Sequence, residues 1–322
     1  MKKLRGRVAV VAGATRGTGR GIACALGEAG ATVYCTGRST RENRPARRPK
    51  KAAPFDLANR PETIEETAEL VSARGGVGIH AQVDHTDEAQ VAALFERVKR
   101  EQGRLDILVN DIWGGEELTE WQPFWKLSME KGLTMLRRAV FSHIITSRHA
   151  APLMVERKRG LIVEITDGDG LNYRGALFYD LVKATVIRLA FDMAEELRRH
   201  KVAALALTPG FLRSEAMLEN FGVTEENWRE AAKKHPSFIE SETPLFVGRA
   251  VAALAADPKV LKKSGRVLAS WNLAREYGFT DADGRQPFFP DWVRENMPDF
   301  LEQMRDSERR FCGAGSVFTT PD

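Results

Sequence analysis

One stretch constrains this chain more than any other: Val8-Ala9-Val10-Val11-Ala12-Gly13-Ala14-Thr15-Arg16-Gly17-Thr18-Gly19-Arg20-Gly21-Ile22-Ala23. Its apolar, β-branched start reads as a strand buried on both faces. Gly13, Gly17 and Gly19 interrupt it, and Ile22, Ala23, Ala25 and Leu26 then resume at helical spacing. A strand that turns straight into a helix leaves unpaired N–H groups and the positive end of the helix dipole at the turn. Such a turn suits a pyrophosphate. A Cβ at those glycines would obstruct the turn or hold the phosphate away from the backbone. Gly13, Thr15, Arg16, Gly17, Thr18 and Gly19 are therefore the expected phosphate seat.

The next apolar run, residues 31–36, reads as a second strand ending in Gly37-Arg38-Ser39. In a dinucleotide-binding unit the end of this strand meets the adenosine ribose, where an acidic residue would bind a free 2′-hydroxyl. Here Arg38 and Ser39 stand instead. A guanidinium makes paired hydrogen bonds to a phosphate, and Arg16 adds a second charge nearby. The cofactor predicted from these residues is NADP(H). Arg38 also heads a basic cluster with Arg41, Arg44, Arg47, Arg48, Lys50 and Lys51. Apart from Arg38, these are expected to be mostly a solvated loop.

Strands and helices keep alternating downstream. Residues 41–55 read as a proline-rich loop, 61–74 as a helix with Pro61 in its first turn, and 77–84 as a third strand ending at Asp84. Asp84 could reach an adenine amino group or serve the cap of the next helix. A fourth strand, 105–110, ends in Asn110-Asp111-Ile112-Trp113-Gly114-Gly115. A helical region follows over 124–157, with a break expected near Ser128 or Gly132. The fifth strand, 160–166, leads through Asp167-Gly168-Asp169-Gly170 to Tyr179-Asp180-Leu181-Val182-Lys183, on a helix over 178–199. Residues four apart share a helix face, so the Lys183 ammonium lies beside the Tyr179 phenol. A neighbouring ammonium favours the phenolate and draws the group towards general acid–base work. A sixth strand, 201–208, runs into Pro209-Gly210 and Ser214. Beyond a stretch rich in Phe221, Trp228 and Phe238, a helix over 250–257 and a strand over 266–269 complete the pattern.

Taken in order, Gly13-x3-Gly17-x-Gly19, Asn110, Tyr179-x3-Lys183 and Pro209-Gly210-x3-Ser214 resemble the short-chain dehydrogenase/reductase family over about residues 6–269. The resemblance implies an α/β, doubly wound Rossmann fold, with helices on both faces of a mostly parallel seven-stranded sheet. It implies Tyr179 as proton donor or acceptor, with Lys183 holding the nicotinamide ribose and lowering the Tyr179 pKa. Asp84 would meet the adenine, Asn110 would line the cofactor floor, and Pro209, Gly210 and Ser214 would lie at the nicotinamide and its carboxamide. Two departures stand out. Where the family has a substrate-binding Ser at the end of the fifth strand, this chain has Thr166-Asp167. An ionised Asp167 beside Tyr179 would oppose phenolate formation by like-charge repulsion. The family's relay Asn is missing between residues 126 and 157, so His143 or Ser142 would have to stand in, unless the relay differs.

The resulting expectation is an NADP(H)-dependent oxidoreductase acting on a carbonyl or alcohol substrate. The alternative is an NADP-binding sensor or scaffold that has lost turnover. Residues 1–269 would form the catalytic domain, with a substrate lid over about 211–245. The aromatic extension, 270–322, would pack on the same domain or a neighbouring subunit, with its end beyond residue 305 loose. A homodimer or homotetramer through helices 124–157 and 178–199 follows from the resemblance. The composition fits a soluble globular protein, with 43% hydrophobic and 29% charged residues in 322. No apolar run approaches the ~20 residues that span a bilayer. A net charge of +4 and a basic cluster without a partner motif argue against nucleic acid. Cys24, Cys35 and Cys312 make neither a disulfide framework nor a metal site, so a cytoplasmic home is expected.

Overall fold

Side chains two apart on a strand face the same way, and in this chain both faces of the central strands are apolar. In β1 (Val8–Ala12), Ala9 and Val11 enter one core cluster while Val8 and Val10 enter another on the opposite face. A sheet apolar on both faces must be covered on both. The computed structural model describes residues 3–170 and 172–312, and it shows this arrangement.

In chain order the elements are β1, α1 (Gly17–Glu28), β2 (Thr32–Gly37), α2 (Ile64–Ala73), β3 (Val77–Gln82), α3 (Glu88–Gln102) and β4 (Ile107–Asn110). Next come α4 (Met129–Leu136), α5 (Ser142–Arg157), β5 (Gly160–Ile165), α6 (Leu177–Leu197) and β6 (Val202–Thr208). The chain continues with α7 (Glu215–Phe221), α8 (Pro244–Ala256), β7 (Val267–Ala269), α9 (Ser270–Tyr277), α10 (Phe289–Asn296) and α11 (Pro298–Cys312). The seven strands form one sheet in the order β3-β2-β1-β4-β5-β6-β7, and every pairing is parallel. Helices α1, α2, α8 and α9 cover one face; α3, α5 and α6 cover the other. The order reverses between β1 and β4, which opens a crevice at their carboxyl ends. Ligands of doubly wound sheets bind in such a crevice.

Some boundaries differ from the sequence expectation, each for a local reason. Thr63, whose hydroxyl accepts the Glu66 N–H, caps α2, so Pro61 lies ahead of the helix rather than in its first turn. The region 124–157 breaks at Ser128, the cap of α4, and then passes through a π turn at Arg137–Phe141 before α5. Helix α8 begins at Pro244, earlier than the expected 250, with the proline in its first turn, where its missing N–H costs nothing, and there α1 and α8 touch backbone to backbone. A Cβ at Gly21 would sit 2.1 Å from the Pro244 carbonyl oxygen. Among the described residues, no helix is long and apolar enough to cross a membrane. In the C-terminal stretch, α9 buries Trp271 and Leu273, while Ser307 on α11 reaches the turn after β5 and accepts the Tyr173 N–H at 3.5 Å. Residues 313–322, at the expected loose end, lie outside the described residues.

Candidate active site

The crevice is built from the carboxyl ends of β1, β2, β4, β5 and β6. At the glycine turn, Gly13 has φ +92° and a Cβ there would lie 2.4 Å from the Asp111 carbonyl oxygen; at Gly19 a Cβ would lie 2.3 Å from the Gly13 carbonyl oxygen. Only glycine lets these backbones approach so closely. The N-terminus of α1 holds two carboxyls of the chain itself. Gly17 N–H donates to Glu215 Oε2 at 2.9 Å, and Gly19 N–H donates to the Asp111 carboxyl. Both contacts are what a helix N-terminus offers an anion. Burial pushes the Asp111 carboxyl up to about 7, although Lys183 pulls it back. Glu116, which opens the short turn after β4, rises for the same reason.

Arginines gather at the end of β2. Arg16 gives its Nε to Glu62 at 3.3 Å, and Arg44 donates from its NH2 group to the Ser39 hydroxyl at 2.7 Å. One buried guanidinium nitrogen of Arg16 and one of Arg44 have no partner. Desolvation lowers both pKa values; the Arg44 charge depresses Arg16 further, and the Arg38 charge depresses Arg44. Three like charges with open donors fit a phosphate. Arg38 itself is half-exposed, 3.8 Å from Asp84, whose other oxygen accepts the Thr86 N–H and hydroxyl. Asp87, not Asp84, caps α3. Arg44 and Arg48 depart from the expected solvated loop: Arg48 pairs with Glu219 at 2.7 Å. The sequence offered no signal that singled them out from their basic neighbours.

Across the crevice, Asn110 is fully buried and donates to Ser147 Oγ at 2.9 Å and Glu164 Oε1 at 2.7 Å, tying β4 to α5 and β5. His143 lies in the same network, with Nδ1 2.6 Å from Glu164 Oε2 and Nε2 2.9 Å from the Ile112 carbonyl oxygen. Both ring nitrogens are taken, and Ser142 donates its hydroxyl to the Arg138 carbonyl. His143 thus ties α5 to the sheet and Ser142 bonds back to its own helical segment, and neither bond reaches Lys183.

Tyr179 and Lys183 lie on the first turns of α6. The Tyr179 hydroxyl donates to Asp167 Oδ2 at 2.7 Å. Burial first, then the charge and hydrogen bond of Asp167, push the phenol's pKa up. Desolvation pulls the Lys183 ammonium down, opposed by Asp167, Asp111 and Glu116. The ammonium sits 4.2 Å from the Trp113 ring centroid, and that ring meets Tyr179 edge-on at 5.6 Å. Thr166 is buried and donates to the Lys183 carbonyl at 2.9 Å, so it is Asp167 that faces the phenol. At the end of β6, Gly210 N–H donates to Glu242 Oε2 at 2.9 Å, and burial pushes the Glu242 carboxyl up to about 8. Ser214 caps α7 by accepting the Met217 N–H. Among the described residues, no group of acidic, His or Cys side chains could hold a metal ion.

The family model described as short chain dehydrogenase matches residues 48–222. A mouse protein, dehydrogenase/reductase SDR family member 1, is 38% identical over 92% of this chain and 94% of its own length. A crystal structure of a short chain dehydrogenase from Mycobacterium thermoresistibile superposes with a TM-score of 0.71 at 22% identity, covering 88% of this chain and 91% of the other. Another, from Mycobacterium paratuberculosis and bound to NAD, gives 0.65 at 22% identity, covering 83% and 97%.

Proposed function

Because the chain belongs to the short-chain dehydrogenase/reductase family of oxidoreductases, we propose that it transfers hydride between NADP(H) and a carbonyl or alcohol carbon, with Tyr179 moving the proton. The observation that carries the reading is the pairing of Tyr179 and Lys183 on one face of α6, in a crevice whose opposite wall presents the unpartnered arginine nitrogens. When bound, the nicotinamide supplies or accepts the hydride. Arg16, Arg38, Arg44 and Ser39 would hold the 2′-phosphate, and Gly13, Thr15, Gly17, Thr18 and Gly19 the pyrophosphate. Asp84 would meet the adenine, while Asn110, Pro209, Gly210 and Ser214 would bound the nicotinamide end. Lys183 would fix the ribose and offset the carboxylates that hold Tyr179 neutral.

The same reading takes residues 1–269 as the catalytic domain, 211–245 as its lid and 270–322 as an extension packed upon it. It takes the protein as a cytoplasmic homodimer or homotetramer. Exposed Leu133, Phe141, Ile144 and Leu181 on α4–α6 and the π turn support that assembly.

The test is NADPH oxidation with a panel of ketones and aldehydes. Tyr179→Phe should reduce kcat roughly a hundredfold to ten-thousandfold, the usual worth of general acid catalysis, while NADPH affinity by calorimetry stays the same. Turnover that survives the substitution overturns Tyr179's role. NADPH binding without Tyr179-dependent turnover on any substrate would favour the sensor or scaffold.

A further inference from the structure

The hydroxyl that would move the proton is already engaged. Tyr179 donates to Asp167, and Thr166, the neighbouring hydroxyl, is turned to the Lys183 carbonyl. A carbonyl oxygen arriving at Tyr179 therefore finds a carboxylate beside it and no second donor. Negative charge growing on that oxygen is opposed by Asp167. The one ammonium close by, Lys183, is screened by Asp167, Asp111 and Glu116 and lies over Trp113. The other nearby cation, Arg174, is tied to Asp180 at 2.9 Å and to the Asp167 and Gly170 carbonyls, so both positive charges on this side are already committed to groups of the chain itself.

A second, independent feature lies on the same side. Trp121 is 69% exposed, and its ring centroid stands 6.1 Å from that of Tyr179, tilted by 44°. Among the described residues, no cation lies over its face. The loop passes close beneath it at Gly175, which has φ +89°; a Cβ there would come within 3.1 Å of the ring. A free aromatic face and an exposed carboxylate that both meet the same Tyr179 side chain make the pairing that binds a substituted ammonium: the ring attracts the charge and its alkyl groups, the carboxylate neutralises it.

We propose that the substrate is a carbonyl compound, or the matching alcohol, bearing a protonated or quaternary amine close to the reacting carbon, with its nitrogen seated between Asp167 and the Trp121 face. The ammonium neutralises Asp167 and frees the Tyr179 hydroxyl to turn to the substrate oxygen. Asp167 selects the charge and Trp121 packs the groups on the nitrogen. This rests on the reading that Tyr179 moves a proton here, and the experiment separates the two.

Dimethylaminoacetone and its neutral carbon isostere, methyl isobutyl ketone, are compared as substrates of the full chain with NADPH at neutral pH. Binding of acetonyltrimethylammonium to the protein–NADPH complex is measured alongside by calorimetry. The amine should be preferred in kcat/KM by at least about tenfold, the worth of one ion pair with an aromatic contact. Asp167→Asn, shown to be folded by its retained NADPH affinity, should remove the preference and weaken the quaternary probe, and Trp121→Leu should narrow both. Equal or better reduction of the neutral ketone, or a preference that survives Asp167→Asn, overturns the inference while Tyr179-dependent turnover leaves the catalytic reading standing. Asp167-dependent binding without turnover of either ketone supports the ammonium seat and overturns the proton-transfer reading. Absence of both binding and turnover overturns both.

Discussion

The two walls of the crevice carry opposite charge and hold it differently. At the end of β2, Arg16, Arg38 and Arg44 crowd together with guanidinium nitrogens left unpartnered. At the end of β5, Asp167 receives the Tyr179 hydroxyl while Asp111 and Glu116 act on Lys183 from the other side. The first wall offers guanidinium donors that no group of the chain takes up. The second is a closed set of bonds that a substrate must reopen. Each wall is therefore suited to a ligand of the opposite sign, on the readings above a phosphate at one and an ammonium at the other.

The sharpest way to break this contrast is to discharge the arginine wall. Arg38→Ala combined with Arg44→Ala should weaken NADPH binding about a hundredfold to ten-thousandfold while leaving NADH nearly unchanged, because hydrogen bonds to charged groups are worth ~1.5–3 kcal/mol each. Calorimetric titration with both cofactors reads the ratio directly. Equal losses for the two cofactors would show that these arginines meet the shared diphosphate and not the 2′ position.

The first wall was largely legible in the chain and the second was not. Backbone geometry made the difference. Gly13 and Gly19 must be glycine because backbone atoms approach them, and Arg38 follows from ending a strand of known place, so spacing alone locates them. Whether Thr166 or Asp167 faces Tyr179 depends on how a strand end unwinds. Two adjacent residues point opposite ways, and a one-residue shift exchanges them. Arg44 was hidden in a run of similar charges, distinguished only when the loop folds it back onto Ser39. His143 is a similar case: its type suggests proton chemistry, but its surroundings, Glu164 and the Ile112 carbonyl, make it a tie between α5 and the sheet.

Asp111 lies where the two walls meet and so sharpens the comparison. Its carboxyl, pushed up to about 7 by burial, sits on the Gly19 N–H that a pyrophosphate would claim. The sign follows from charge: an approaching polyanion favours the protonated, neutral acid. NADPH affinity should therefore fall as pH rises through about 7, by up to roughly tenfold between about pH 6 and 8. Asp111→Asn, which stays neutral throughout, should flatten that profile. Binding by the native chain that is level over the same range would mean that Asp111 moves clear of the phosphates.

The smallest effect expected belongs to Glu215, the other internal anion. It accepts the Gly17 N–H from the start of α7, while Glu219, one turn on, pairs with Arg48 and Arg60 at 2.7 Å each. Helix α7 is thus fastened over the glycine turn by one carboxylate on the Gly17 N–H and another on the basic loop. On the proposed reading, a pyrophosphate at the glycine turn would displace the first but not the second. Glu215→Gln keeps an accepting oxygen and the length of the side chain but removes its charge. A charge at a helix N-terminus is worth ~0.3–1 kcal/mol, so NADPH should bind about two- to fivefold more tightly in the variant. The gain should shrink as salt screens the exposed end. Weaker binding would reverse the assignment: Glu215 would then act in the loaded state, holding α7 down over the cofactor instead of standing in for it.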